Sequence, residues 1–386
     1  MDSCYSIGVK DAIIEHSFSG PVKIEVHDGK IASIQTISME AMRNADICFP
    51  TGILIPGFID VHVHGGGGAD VMDGQTVSIQ EIARYHRQFG TTGLLATTVT
   101  ASSEKIEQVI DCIRVMDHLI EDGAEILGIH LEGPYVNPQR SGAQNISYMK
   151  NPDLKEFKNW MERSAGFIKW ITLAPEKNGA REFIKEVSEL GVVVSAGHTC
   201  CSFNEFNKAV ENGLSHATHL FNGMNPLHHR EPGVLGFVLT DERVSTEVIL
   251  DGQHIHPAIF KLVYKAKCED NILLITDCMR AAGMVDGIYD LGELEVIVQN
   301  SIARLNTGSL AGSTLNMWEA VKNGIEFGGL SLAECVRLAS TNPAKKLGLG
   351  ERKGKISQGY DADFAIIGLE NTIDATCVRG KWMVHR

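Results

Sequence analysis

The sequence predicts an α/β protein: a (β/α)8 TIM-like barrel carrying a small β-sandwich built from both chain ends. Three observations lead there. Through the middle of the chain, apolar β-branched runs alternate with amphipathic segments of helical period, eight times over. No G-x-G-x-x-G follows any of those runs, which disfavours the open, doubly wound sheet. Both termini instead read as short alternating strands, flanking the α/β middle. The expected division is residues 1–53 for the first part of the sandwich, 54–350 for the barrel and 351–386 for the second part.

Taken in order, "VKIEVHDGKIASI" alternates apolar and polar residues around Asp28-Gly29, a hairpin turn signal. The barrel strands are expected at "FIDVHVH", "TTGLLATTV", "EILGIHLE", "KWITLAPE", "VVVSAGHT", "LSHATHL", "STEVILDG" and "NILLITD". Between them "SIQEIARYHRQFG", "SSEKIEQVIDCIRVMDHLI", "REFIKEVSELG" and "SFNEFNKAVENG" space their apolar residues near 3.6, and several end in Gly. Near the end, "DADFAIIG" and "ATCVRGKWMVH" read as strands, the second turning at Arg379-Gly380.

Composition narrows the function. The chain has 386 residues, 44% hydrophobic and 22% charged, ordinary values for a globular protein. Its formal net charge of −13 and lack of a basic run argue against a nucleic-acid partner. No apolar run reaches the ~18 residues that span a bilayer, and the first residues lack a signal-peptide pattern, so no membrane partner and a cytoplasmic location are expected. Nine cysteines, an odd number without C-x-x-C, are expected to be reduced thiols.

In a barrel of this kind the chemistry sits at the C-terminal strand ends. Here six strands deliver imidazole or carboxylate to that rim: His62 and His64, Glu132, His198, His219, Asp251 with His254, and Asp277. His62 and His64 are two apart on one strand, so they share a face. Two buried imidazoles side by side need a common partner, and a divalent cation supplies one. The glycines that follow, "HGGGG", let the backbone turn sharply beside a ligand. Glu132, His198 and His219 form a three-donor set of the kind that leaves a metal open to water. Four histidines, one Glu and one Asp can hold two ions with Glu132 between them; imidazole and carboxylate accept zinc and iron alike.

Several stretches resemble the N-acetylglucosamine-6-phosphate deacetylase family of the amidohydrolase superfamily: "PGFIDVHVHGGGG", "HLEGPYVNPQRSGAQ", "SAGHT", "THLFNGMNPLHHREPG", "DGQHIHP", "ITDCMRAAG" and "LAGS". The resemblance implies the same barrel and sandwich, usually as a homodimer. It implies hydrolysis of an acetamide to acetate and glucosamine 6-phosphate, with one or two divalent ions per subunit. By position, His62, His64, Glu132 and Asp277 would surround one metal, and Glu132, His198 and His219 the other. Asp277 matches the family's general acid/base and His254 its sugar-contacting histidine. Arg230 matches an arginine that reaches the phosphate of the neighbouring subunit's substrate. Phe221 and Asn222 match contacts near that phosphate. Gln144 stands where some members have a histidine that polarises the carbonyl; it can donate a hydrogen bond but carries no charge. The galactosamine epimer as substrate, a cyclic-amide amidohydrolase and a metal-free sugar-phosphate binding barrel are the competing readings. A carboxylate at Glu132, where cyclic amidases carry a modified lysine, argues against the second. The full donor set argues against the third.

Overall fold

The computed structural model describes residues 4–385. Eight parallel strands pair in chain order: Phe58–Val63, Thr91–Thr98, Glu125–Glu132, Ile168–Leu173, Val193–Ala196, His216–Ala217, Ser245–Ile249 and Ile272–Ile275. Seven lie within the runs expected to be strands, and the fourth starts one residue ahead of its run, at Ile168. The ring is completed just past the last strand. Val63 and Cys278 form a parallel bridge, and the Asp277 N–H donates to His62 O at 3.0 Å. Closure brings the first and last strands side by side, which sets Asp277 against His62 and His64.

The helices pack outside. The segments Thr76–Arg87, Ser103–Val115, Ala180–Glu189 and Phe203–Glu211 coincide with the four amphipathic stretches. Their starts follow side-chain chemistry: Ser102 accepts the Lys105 N–H, and Ser202 with Glu205 closes a capping box. Ile106, Val109, Ile110 and Ile113 of the second of these helices are fully buried, the apolar stripe that the spacing requires.

The barrel interior is not a plain apolar core. Asp60, His62, His130, Thr172, Ser195, His216, Thr218, Glu247 and Thr276 are all fully buried inside it. Most are tied pairwise: Thr276 Oγ1 donates to Asp60 at 2.6 Å, and Thr172 Oγ1 lies 2.8 Å from His130 Nε2 and 2.7 Å from Thr218 Oγ1. Such networks hold a unique geometry only when their members find partners.

The terminal strands form one continuous mixed sheet. Cys4–Ile14, Val22–His27, Lys30–Thr36 and Ile47–Pro56 join Phe364–Ile367, Ile373–Val378 and Lys381–Val384. Its own core contains Ile7, Val9, Ile24, Leu54, Phe364 and Cys377. Both expected turns are present, Asp28-Gly29 at φ 48° and 72° and Arg379-Gly380 at φ 49° and 78°. Paired positive φ matches the twist of two-residue hairpins. The sheet is bolted to the barrel by Lys353, whose Nζ lies 2.6 Å from Glu125, 3.1 Å from Asp361 and 2.6 Å from Asp363. Those three carboxylates have the spacing of a cation site. The ammonium group already fills it.

One element departs from the strand–helix alternation. After the eighth strand the chain inserts a three-stranded antiparallel sheet, Gly287–Leu291, Leu294–Gln299 and Ile302–Leu305. Leu291 of this sheet lines the cavity at the barrel mouth. The alternation in "LEVIVQ" is its signal, and the Gly292-Glu293 turn its punctuation.

Candidate metal centre and active site

The expected rim residues meet in one cavity of about 250 Å³, lined among others by His64, Glu132, Gln144, His198, His219, Asn222, His254 and Asp277. His62 lies just beneath it, fully buried. Glu132 is the hub. Its Oε1 lies 3.1 Å from His198 Nε2, 3.0 Å from His219 Nε2 and 3.6 Å from His62 Nε2; its Oε2 lies 3.3 Å from His64 Nε2. Asp277 Oδ1 is 3.1 Å from His64 Nε2 and 3.4 Å from His62 Nε2.

The outer nitrogens settle the tautomers. Nδ1 of His62 faces Glu247 Oε2 at 3.1 Å, and Nδ1 of His64 faces Thr97 O at 3.2 Å. Nδ1 of His198 faces Arg140 O at 2.8 Å, and Nδ1 of His219 faces Asn222 O at 3.1 Å. All four partners can only accept, so each Nδ1 donates. Each Nε2 is then directed at the centre. This is how metal-ligating histidines are held. Tetrahedral ligands at about 2.0–2.1 Å from an ion stand roughly 3.3 Å apart. The observed donor separations of 3.0–3.6 Å match that edge length. The residues therefore fit a metal, in two groups that share Glu132: His62, His64, Glu132 and Glu132, His198, His219.

Backbone geometry shows what the convergence costs. His198, His219 and Asp277 have φ of 47°, 27° and 49°, in the left-handed region. Non-glycine residues there carry strain on the order of 1–3 kcal/mol each, and such strain collects at functional sites. Each lies just past the end of its strand and hooks its side chain inward.

The electrostatics favour cations. Burial alone would lower the pKa of His62, but the carboxylates of Glu132, Asp277 and Glu247 outweigh burial and hold it well above the usual histidine range. His64 is likewise pushed up to about 9, against its burial, by hydrogen bonds and charge from Asp277 and Glu132. Glu132 is kept well below the usual carboxylate range; burial opposes this and the surrounding imidazoles win. A field that holds protons on buried imidazoles also holds a metal ion in their place.

Other residues singled out by sequence fall in different places. Gln144 donates from Nε2 to Glu132 Oε2 at 2.6 Å, and its Oε1 accepts the Thr100 N–H at 2.7 Å. It thus braces Glu132 while lining the cavity. His254 Nδ1 pairs with Asp251 Oδ2 at 2.7 Å. Asn222 lines the cavity, whereas Phe221, at φ 78°, packs against the barrel core. Arg230 is exposed and lies outside the cavity, bonded to His229 beside a separate depression with Cys200, Asn225 and Gly233. His256 caps the helix Pro257–Ala266 by accepting the Ala258 N–H. All nine cysteines are unpaired. Glu247 and Thr97 carry no sequence signal for the site, because each sits within a strand and the imidazole it holds is distant in the chain.

Barrel, rim and donor set together define a metal-binding hydrolase of the amidohydrolase type. The amidohydrolase family matches residues 53–383. The chain is 38% identical to an N-acetylglucosamine-6-phosphate deacetylase of Bacillus subtilis (strain 168) over 97% of this chain and 95% of that one. It is 41% identical to one of Lysinibacillus sphaericus, over 91% and 92%. An N-acetylgalactosamine-6-phosphate deacetylase of Escherichia coli O157:H7 is 36% identical, over 90% of each chain. A solved structure from Mycobacterium smegmatis, a mutant N-acetyl-D-glucosamine-6-phosphate deacetylase in complex with N-acetyl-D-glucosamine-6-phosphate, superposes with a TM-score of 0.93 at 31% identity, over 99% of this chain and 100% of that one. The chain belongs to the amidohydrolase family, within its N-acetylglucosamine-6-phosphate deacetylase group.

Proposed function

We propose that the protein hydrolyses the acetamide of N-acetylglucosamine 6-phosphate to glucosamine 6-phosphate and acetate, in the cytoplasm, as part of amino-sugar breakdown. The observation that carries this is the convergence of four oriented imidazoles and two carboxylates on one small cavity. His62, His64, Glu132, His198, His219 and Asp277 would hold one or two divalent ions, zinc or iron, which would supply Lewis acidity for water activation and carbonyl polarisation.

The protein's own groups do the rest. Water oxygen bonds to the acetyl carbon, the C–N bond breaks and the amine leaves with a proton. Asp277 takes the proton from the attacking water and delivers it to nitrogen, a base that becomes the acid. Its carboxylate stays ionised for that task. Burial would raise its pKa, but the imidazoles of His62 and His64 hold it below the usual range. His254, steadied by Asp251, is suited to a sugar hydroxyl. Gln144 keeps one N–H for the acetyl oxygen while the other braces Glu132. Asn222 and the backbone near Phe221 lie toward the phosphate.

No lysine or arginine lines the metal cavity among the described residues. That favours a homodimer in which Arg230 reaches the phosphate bound by its neighbour, since guanidinium matches phosphate geometry. The phosphate does not react; its binding positions the acetamide. The decisive experiment is acetate release from both 6-phosphate epimers, with protein stripped of metal and reloaded with zinc or iron. Turnover without metal, or release from neither epimer, would end this reading.

A further inference from the structure

Glu247 stands in the middle of the strand Ser245–Ile249, fully buried, and plays no part in the chemistry above. Its Oε2 accepts from His62 Nδ1 at 3.1 Å and from the backbone N–H of His219 at 3.1 Å. Its Oε1 faces His216 Nε2 at 3.3 Å, an ion-pair distance without the alignment of a hydrogen bond. Among the described residues its ion-pair partners are those two imidazoles alone. A buried carboxylate with no lysine or arginine beside it is costly unless a cation lies within reach. Here the candidates are the His62 ring, 3.1 Å away, and an ion held on that ring's far side.

We propose that Glu247 is a positioning residue for the metal centre. One oxygen ties together the two donor groups: it fixes the tautomer and tilt of His62 on one side and the backbone of His219 on the other. The dependence is unequal. The His219 ring has its own anchor at Asn222 O, 3.1 Å away, whereas the His62 ring has Glu247 as its Nδ1 partner. Carboxylate–histidine–metal arrangements raise ligand basicity and orient the ring, and their loss typically weakens metal binding about 10- to 100-fold. Glu247 thus decides whether the His62–His64–Glu132 group holds an ion, while the Glu132–His198–His219 group depends on it less. This rests on the two-ion reading of the site.

The test is metal uptake by stripped protein, measured by competition with a chromophoric chelator for zinc and by the visible spectrum for cobalt. Glu247→Gln keeps the shape and Glu247→Leu removes the acceptor. Expected is two-ion uptake by the parent. In both variants one of the two affinities falls at least tenfold and the other changes less than threefold. Imidazole nitrogen NMR of the zinc-loaded protein should show the His62 Nδ1–H signal shifted in Glu247→Gln by loss of its charged acceptor, a change that mere core filling would not produce. Should Glu247→Leu fail to fold, Glu247→Gln carries the test. Parent-like affinities in the variants, with an unchanged His62 Nδ1–H signal, would overturn the inference. A parent that takes up one ion would sink the two-ion reading instead. The Glu247 inference would then stand on a tenfold loss at that single ion and fall without it.

Discussion

Asp277 meets two demands at once. It must sit close enough to His62 and His64 to share an ion, and it must present a carboxylate to the cavity. A left-handed backbone at φ 49° satisfies both by turning the residue off the end of its strand. Replacing it with asparagine keeps the shape and removes the proton shuttle. Asp277→Asn should lower kcat by at least ~10²-fold with the melting temperature of the metal-loaded protein little changed. Near-normal turnover would reject the role. At this scale the six candidate ligands were legible because imidazole and carboxylate are costly at the end of an apolar strand unless they have a task. Glu247 was not. It sits mid-strand, and the imidazole it holds is 185 positions away in the chain.

Among elements, the turn after His64 shows how tightly local structure serves the site. Gly65 and Gly66 pair with Ala69 and Asp70 in a two-residue ladder, and the His64 and Gly65 N–H groups both donate to Cys278 O. A Cβ added at Gly65 would lie 2.5 Å from Ala69 O and 2.7 Å from Arg280 N, both backbone atoms. Neither can swing aside as a side chain could. Gly65→Ala should therefore shift the end of the first barrel strand and weaken metal uptake severalfold, read by chelator competition; parent-like uptake would show that the turn can relax. The barrel strands were readable one by one, since buried β-branched runs between helical periods are local signals. The sheet of residues 287–305 was not. A helix is the ordinary successor to a barrel strand, and the brief alternation of "LEVIVQ" alone does not displace that expectation.

For the molecule as a whole, buried neutral groups set its response to acid. His86 is fully buried, its Nε2 2.9 Å from Gly65 O, and burial pushes its pKa down to about 4. The unfolded chain takes up that proton near pH ~6.5 and the native chain only near the lower value. Between the two the unfolded state binds more protons, so stability falls as pH falls, on the order of 2–3 kcal/mol from this group by the end of the window. His86→Gln, which keeps a donor for Gly65 O, should lose melting temperature less steeply than the parent between about pH 6.5 and 4; equal slopes would refute the assignment. Assembly belongs to the same scale. If Arg230 serves a neighbouring subunit, Arg230→Ala should raise KM for the 6-phosphate substrate about tenfold or more, at the energy of a charge-assisted contact, and leave the fold intact. An unchanged KM would point instead to Arg140, which lines the adjoining cavity.

The sequence by itself determined the alternation that builds the barrel, the turns of the terminal sheet and which residue types stand at the strand ends. Each of these is written in neighbours a few positions apart, where period, turn chemistry and side-chain polarity act directly. Only the tertiary structure decided that four Nε2 atoms face one glutamate, that Gln144 braces it, that Arg230 stays outside its own chain's cavity and that Glu247 lies behind His62. Those facts depend on ring closure. Closure sets residues from the first and last strands within 3–4 Å of one another, and no local pattern encodes a distance across the ring.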